Sequence, residues 1–240
     1  MQYLEQLDCS AIKVQSIKDG SIVFPGEPLL RLEGSFALLQ LLETPLLNLI
    51  NFSSLVTTNA SRMKMTAGER QCVEFGLRRA QGPNGAITAS KYAFMGGFSA
   101  TSNVYAGYLY GIPLAGTCAH SFIMSFEAEE DIAQSRTLAP KAGGEPIDLL
   151  EACMRYREEL GWQGTVLKEL YAFISFAHAY PNAFASLVDS YNTIESGVKN
   201  CILVSLVLHD LGYKAVGIRL DSGDLALLSQ QAKALFAEIS

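Results

Sequence analysis

Clustered positive charge is what this sequence most plainly lacks. Its 18 lysines and arginines are outnumbered by 24 aspartates and glutamates, which gives a formal net charge of −6. Proteins that bind nucleic acid or other polyanions along their surface need clustered Lys and Arg. The composition therefore argues against a general nucleic-acid binder. It leaves room for a phosphate-bearing ligand, because one or two arginines in a pocket can bind one.

Paired cysteines and a long apolar segment are also missing. The five cysteines are scattered and form no close pair, so neither a disulfide framework nor a zinc site is predicted. We therefore expect a reducing compartment, the cytosol. The most hydrophobic stretch, residues 36–56, is interrupted by polar residues and a proline. A membrane span needs about 20 largely apolar residues, and no membrane partner is expected.

What the sequence does contain is enough apolar residues for a core, 49% of the chain, in two successive patterns. Up to about residue 66, short apolar runs between turn signals predict a small β meander. A long helix over residues 36–60, kinked at Pro45, follows it. After Gly68, strands alternate with helices, which predicts parallel β/α units. The predicted strands span residues 72–78, 113–119, 184–191 and 215–220. The predicted helices span residues 102–110, 147–159, 165–180, 198–211 and 225–239.

Four such units are only half of an eight-stranded barrel, which typically needs about 250 residues by itself. A half barrel cannot close and leaves its edge strands unpaired. The pattern alone is therefore compatible with two architectures, an open doubly wound sheet or part of a longer barrel.

Two arginines stand near the ends of predicted strands. In residues 215–220, small residues alternate with larger apolar ones, and Arg219 falls on the small-residue face. Arg78 occupies the same place in the strand predicted over residues 72–78. Ligands of β/α folds bind at the carboxyl ends of strands, where both arginines would meet an anion. On the pattern alone, ion pairs with nearby carboxylates explain the two arginines at least as well.

Acidic residues follow Arg219 at the start of a predicted helix. Asp221 and Asp224 flank Ser222, which is a good N-cap for that helix. Capping alone accounts adequately for these residues. A functional interpretation makes the two carboxylates partners for ribose hydroxyls or for Mg²⁺, which prefers carboxylate oxygen.

Two further features give weaker signals. Gly96-Gly97, followed by hydroxyl residues before a predicted helix, could hold a phosphate or form an ordinary turn. His120 follows a predicted strand, whereas His178 and His209 lie inside predicted helices. A lone histidine is more often structural than catalytic, so the pattern alone assigns His120 no role.

Three longer motifs together resemble one family, the nicotinate phosphoribosyltransferases. They are EFGLRRAQG at residues 74–82, GTCAHSF at residues 116–122 and VGIRLDSGDL at residues 216–225. Shorter matches at residues 40–47 and 96–98 fall in the same order. The resemblance covers nearly the whole chain.

The resemblance implies an α/β fold made of two parts. Residues 1–66 would form part of an α/β sandwich domain that includes the long apolar helix. Residues 67–240 would form about half of an irregular β/α barrel carrying the active-site motifs. The family also implies a cytosolic homodimer with active sites near the interface. Its substrates would be nicotinate, phosphoribosyl pyrophosphate and ATP, with Mg²⁺ as the cofactor.

The resemblance also implies roles for individual residues. His120 would be the phosphohistidine that carries phosphate from ATP. Thr117 and Arg219 would contact nicotinate, and Arg78 would be a further anion contact. The remaining candidates, for contacts to ribose, phosphate or magnesium, are Ser121, Asp221 and Asp224. No dedicated metal site is identified in the sequence.

The implied activity is formation of nicotinate mononucleotide with ATP hydrolysis, the first step of NAD synthesis from nicotinate. Family members extend well beyond both ends of this sequence. Measured against the family it resembles, we expect this sequence to lack the N-terminal segment with a tyrosine for the nicotinate site and the later glycine-rich turns that hold the phosphate. The alternative is therefore a truncated, non-catalytic isoform or fragment that only associates with full-length subunits. An unrelated sugar-phosphate β/α enzyme is a third, weaker hypothesis.

Overall fold

The computed structural model describes residues 5–239, which form two compact units. The first unit extends to Gly116 and the second begins at Thr117. The sequence places a domain boundary elsewhere, between residues 66 and 67, at the end of the long helix. That assignment concerns the longer family fold and stays a prediction. Within residues 5–239, every helix is too short or too polar to cross a bilayer.

The first unit is built around one long helix. Its elements are β1 (Lys13–Ser16), β2 (Leu30–Glu33), α1 (Phe36–Ala67), β3 (Val73–Glu74), α2 (Gly82–Met95), β4 (Ala100–Thr101) and α3 (Val104–Tyr110). Strands β1 and β2 pair antiparallel, whereas β3 and β4 pair in parallel. Thr101 adds a parallel bridge to Leu114.

Helix α1 is longer than predicted. It continues through Pro45 and ends at Ala67 rather than at residue 60. The next residue, Gly68, adopts a φ of 60° and closes the last turn. Helix α2 packs against α1 at Gly96, the residue that follows α2. A Cβ at Gly96 would lie 2.6 Å from the backbone oxygen of Thr57. Only glycine permits this approach of the two helices.

The strands of the first unit are shorter than predicted. The β meander is a single antiparallel pair, because Gly20 and Gly26 take positive φ angles and interrupt the run between them. The strand expected over residues 72–78 ends at Glu74. Its side-chain carboxylate accepts the backbone N–H of Gly76 and bends the chain into a 3₁₀ turn. The strand expected over residues 113–119 is only the bridge at Leu114.

The second unit contains most of the core. Its helices and strands are α4 (His120–Ile123), β5 (Thr137–Leu138), β6 (Ile147–Asp148), α5 (Leu149–Glu159), α6 (Leu167–Ala179), β7 (Ala185–Leu187), α7 (Lys199–Asp210), β8 (Gly217–Arg219) and α8 (Leu225–Ile239). A π-helix, Thr193–Val198, leads directly into α7. Strands β7 and β8 pair in parallel, as predicted for β/α units, although both are shorter than expected.

The π-helix fixes the chain that leaves β7. A Cβ at Gly197 would lie 1.9 Å from the backbone oxygen of Val188, so the two backbones touch at a point where only glycine fits. Val188 is fully buried, and the next residue is Asp189. The close approach of the π-helix therefore positions the residues at the carboxyl end of β7.

A buried carboxylate links α6 to the π-helix and α7. Glu169 is completely buried, and its Oε2 accepts hydrogen bonds from Ser196 Oγ at 2.5 Å and Asn200 Nδ2 at 3.1 Å. Burial raises the pKa of Glu169 to about 7, although both hydrogen bonds act to lower it. The fold therefore favours the protonated form of this side chain below a pH of about 7.

Replacing Glu169 with Gln should remove a pH dependence of stability. The folded pKa of about 7 lies above the ordinary 4.5, so between these values the folded chain holds a proton that the unfolded chain has released. The stabilisation by Glu169 is complete below pH 4.5 and is lost as the pH rises through about 7. Urea unfolding of wild type and Glu169→Gln between pH 4.5 and 8 measures it.

The matched control is Glu158→Gln, which removes an exposed carboxylate in α5. As the pH rises, we expect the free energy of unfolding of wild type to fall relative to that of Glu169→Gln. The curves of wild type and Glu158→Gln against pH should stay parallel. Parallel curves for wild type and Glu169→Gln would contradict this account.

Candidate functional site

Three segments of the second unit meet at the carboxyl ends of β7 and β8. The first is residues 117–120, the second is Asp189 beyond β7, and the third is residues 219–222 at the end of β8. The parallel register, with Leu187 opposite Arg219, brings the ends of both strands to the same edge. Hydrogen bonds between side chains then join the three segments.

Asp189 lies at the centre of this arrangement. Its Oδ1 lies 3.1 Å from His120 Nε2. Its Oδ2 accepts hydrogen bonds from the Ser222 hydroxyl at 2.6 Å and the Asp221 backbone N–H at 3.1 Å. The side chain of Asp189 is only 2% exposed, whereas that of His120 is 39% exposed. One buried carboxylate thus connects an accessible histidine to the chain that follows β8.

The hydrogen bonds keep Asp189 ionised despite its burial. Burial acts to raise the pKa of its carboxyl, but donation by Ser222, Asp221 and His120 outweighs burial and holds the pKa below its ordinary value. A neutral His120 next to this carboxylate keeps its proton on Nε2, which leaves a lone pair on Nδ1. The arrangement therefore orients a nucleophilic ring nitrogen.

Arg219 is held by partners on two sides. Its Nη1 donates to Thr117 Oγ1 at 2.7 Å and to the Cys118 carbonyl at 3.4 Å. Its Nη2 lies 3.3 Å from Asp221 Oδ1. The ion-pair interpretation of Arg219 is therefore correct for Asp221. About a quarter of the Arg219 side chain is exposed.

The other predicted residues after β8 have separate contacts. Asp224, rather than Ser222, caps α8, because Asp224 Oδ1 accepts the Leu227 N–H at 3.0 Å. The predicted N-cap at Ser222 is wrong, since its hydroxyl is directed to Asp189 instead.

Ser121 is exposed in the first turn of α4.

Arg78 belongs to the first unit and lies in the 3₁₀ turn Leu77–Arg79. Its side chain is exposed, and within residues 5–239 its guanidinium forms no ion pair. The ion-pair interpretation of Arg78 is therefore not met by this part of the chain. The described residues also contain no cluster of three or more His, Cys, Asp or Glu side chains suited to a metal.

Asp189 is the residue that sequence reasoning missed. It directly follows the buried residues Leu187 and Val188 at the carboxyl end of β7, a position like that of Arg219 and Asp221 at the end of β8. The strand-end rule passed over Asp189, because the strand predicted over residues 184–191 runs past it, whereas β7 ends at Leu187. The partners of Asp189 could not be read from the sequence, because they lie far away along the chain.

Comparison with known proteins agrees with the resemblance of the motifs. Residues 70–240 match the model of the nicotinate phosphoribosyltransferase (NAPRTase) family. The nicotinate phosphoribosyltransferase of Dictyostelium discoideum is 50% identical over 240 residues, which cover 100% of this chain and 40% of the relative. Nicotinate phosphoribosyltransferase 1 of Arabidopsis thaliana is 52% identical, with 99% of this chain and 44% of the relative covered.

A solved structure gives the same result for the fold. The crystal structure of human nicotinic acid phosphoribosyltransferase matches with a TM-score of 0.85 at 45% sequence identity. The match covers 99% of this chain and 49% of the human chain, which confirms the predicted α/β fold and its partial extent. This chain thus spans less than half the length of these relatives, and on the family match over residues 70–240 it belongs to the nicotinate phosphoribosyltransferase family.

Proposed function

We propose that this chain carries the nicotinate-binding and phosphate-accepting groups of a nicotinate phosphoribosyltransferase. The reaction would join nicotinate to phosphoribosyl pyrophosphate, with ATP hydrolysis, in the first step of NAD synthesis from nicotinate. The observation that carries the proposal is the buried Asp189 carboxylate. It contacts both His120 and the residues that follow Arg219.

His120 would accept phosphate from ATP. The lone pair on its Nδ1 attacks the terminal phosphorus, an N–P bond forms, and the P–O bond to ADP breaks. The ring becomes more positive as this bond forms, and the Asp189 carboxylate 3.1 Å from Nε2 stabilises that charge. Transient phosphorylation of His120 would couple ATP cleavage to product formation.

Arg219 would hold the carboxylate of nicotinate. The positive charge of the guanidinium would bind the carboxylate and so orient the ring nitrogen. Thr117 and Asp221 fix the two terminal nitrogens of Arg219 and limit its rotation. Arg78, exposed in the first unit, is proposed as a further anion contact.

The reaction needs positioning and charge stabilisation more than proton transfer. The pyridine nitrogen of nicotinate already has a lone pair and attacks C1 of the ribose without a general base. As pyrophosphate leaves, the sugar gains cationic character, which aligned reactants and nearby carboxylates can support. Asp221 is exposed beside Arg219 and suits that electrostatic role.

Mg²⁺ is proposed to arrive with the phosphate-bearing substrates. Proteins often hold Mg²⁺ by one or two carboxylates together with substrate phosphates. Asp221 and Asp224 are exposed carboxylates and fit that pattern, and Ser121 is proposed as a ribose or phosphate contact. Bound there, Mg²⁺ would neutralise charge on the leaving pyrophosphate.

We also propose that the protein is cytosolic and works as a homodimer.

A second candidate function is association without catalysis. The chain spans 40% to 49% of its relatives' length. Helix α1 buries only Ala60 and leaves large apolar side chains exposed, among them Phe36 at 79% and Met65 at 82%. Surface of this kind is typical of a helix that packs against further chain. The chain would then pair with full-length subunits.

The test of the proposed function is product formation by the purified chain. It is incubated with nicotinate, phosphoribosyl pyrophosphate, Mg²⁺ and ATP, and nicotinate mononucleotide is measured by mass spectrometry. We expect product from wild type, and a loss of ATP-stimulated product in His120→Ala. A full-length relative run in parallel is the positive control. Product from that relative and none from this chain would favour the second candidate.

A further prediction concerns Asp189. Asp189→Asn keeps the size of the side chain but removes the charge that stabilises His120 and accepts from Ser222. Hydrogen bonds to charged groups are worth about 1.5–3 kcal/mol, so transfer of phosphate from ATP should slow about 10- to 100-fold. The rate of ADP formation by the chain measures the effect.

Asp210→Asn makes the same charge change on an exposed residue whose carboxylate accepts a hydrogen bond from the Tyr156 hydroxyl in α5 and lies 4.0 Å from Arg155. This control should keep the wild-type rate. An Asp189→Asn chain that forms ADP as fast as the control would refute the role of Asp189.

A further inference from the structure

We infer that Glu74 is a positioning residue that holds the turn carrying Arg78, an inference that rests on the proposed function of Arg78 as an anion contact. Glu74 is the last residue of β3 and lies four residues before Arg78 in the first motif. Within residues 5–239 its carboxylate accepts hydrogen bonds from neutral donors and forms no ion pair with an arginine.

Three donors from separate elements converge on the Glu74 carboxylate. Oε2 accepts hydrogen bonds from Ser90 Oγ in α2 at 2.9 Å and from Thr101 Oγ1 in β4 at 2.7 Å. Oε1 accepts the backbone N–H of Gly76. Ser90 and Thr101 are both buried, with 1% and 0% exposure. The carboxylate is therefore anchored from the core of its own unit.

A second layer orients the two hydroxyls. The Asn103 backbone N–H donates to Thr101 Oγ1 at 3.0 Å, and Asn103 Nδ2 donates to Ser90 Oγ at 3.2 Å. The Thr101 hydroxyl can then direct its proton toward Glu74, whereas Ser90 Oγ lies 2.9 Å from both Glu74 Oε2 and the Ala86 carbonyl and can donate to either. The hydrogen bonds thus run from Asn103 through two hydroxyls to the carboxylate.

The carboxylate also sets the path of the backbone. Its bond to the Gly76 N–H ends β3 and starts the 3₁₀ turn Leu77–Arg79, in which the Arg79 N–H donates to the Gly76 carbonyl at 2.8 Å. A Cβ at Gly76 would lie 3.2 Å from Glu74 Oε1, so a larger residue would crowd this bond. The direction in which the turn presents Arg78 follows from Glu74.

The same geometry leaves the arginine charge available. Within residues 5–239, Glu74 forms no ion pair, because its oxygens are occupied by hydroxyls and an amide. Arg78 and Arg79 are exposed, and their guanidinium groups form no ion pair within the same residues. The Glu74 carboxylate thus holds the turn without neutralising the charge of its arginines, as a site for an anionic ligand requires.

The experiment compares wild type with Glu74→Gln, which has the same shape. Amide hydrogen exchange of Gly76 and Arg79 reports the turn, and calorimetric titration with nicotinate reports the ligand. We expect exchange at both amides to rise at least about tenfold and the Kd for nicotinate to rise about tenfold, since a hydrogen bond to a charged group is lost. Glu69→Gln removes an exposed carboxylate five residues upstream and should change neither.

Conservative variants separate positioning from general stability. Thr101→Ser keeps the hydroxyl and should retain wild-type exchange and affinity, whereas Thr101→Val should behave like Glu74→Gln. Unchanged exchange in Glu74→Gln would overturn the inference. If Arg78→Ala weakens nicotinate binding, then faster exchange in Glu74→Gln with an unchanged Kd for nicotinate would also overturn the inference. Equal nicotinate affinity in wild type and Arg78→Ala would instead refute the proposed role of Arg78, and with it the ligand part of the inference.

Discussion

The buried carboxylate of Asp189 is the constraint on which the candidate site depends. A charge removed from water must be matched by donors, or its burial is costly. Here the donors are the Ser222 hydroxyl, the Asp221 N–H and the ring of His120. The hydrogen bonds of these donors to Asp189 hold the segment 117–120 and the β8–α8 connection at the end of β7. The same contacts place His120 and Arg219 in one neighbourhood of the second unit.

Tight backbone packing supports this carboxylate from behind. Gly197 touches the carbonyl of Val188, and the parallel pairing of β7 with β8 fixes where Asp189 leaves the sheet. The buried network of Glu169 with Ser196 then ties the π-helix to α6. The site is therefore a consequence of how strand ends and a π-helix pack in one unit, and the β8–α8 connection adds the Asp221 N–H and the Ser222 hydroxyl.

The sequence predicted those parts of the molecule that depend on local patterning. Helix α8 spans the predicted residues because its apolar face repeats at helical spacing. Arg219 is the last residue of β8 and lies within the strand predicted over residues 215–220. The predicted strands were too long where a side chain accepts a hydrogen bond from the backbone and ends the strand, as Glu74 does with the N–H of Gly76. Asp189 was missed because its partners lie 69, 32 and 33 residues away, and no local pattern carries that information.

The most direct test of the account is the chemical fate of the terminal phosphate of ATP. The chain is incubated with ATP labelled at that phosphate, digested, and its peptides are examined for acid-labile label by mass spectrometry. The account predicts phosphate on the peptide containing His120 and none on those containing His178 or His209, which lie in α6 and α7. ATP cleavage without label on His120, or equal label on all three histidines, would contradict it.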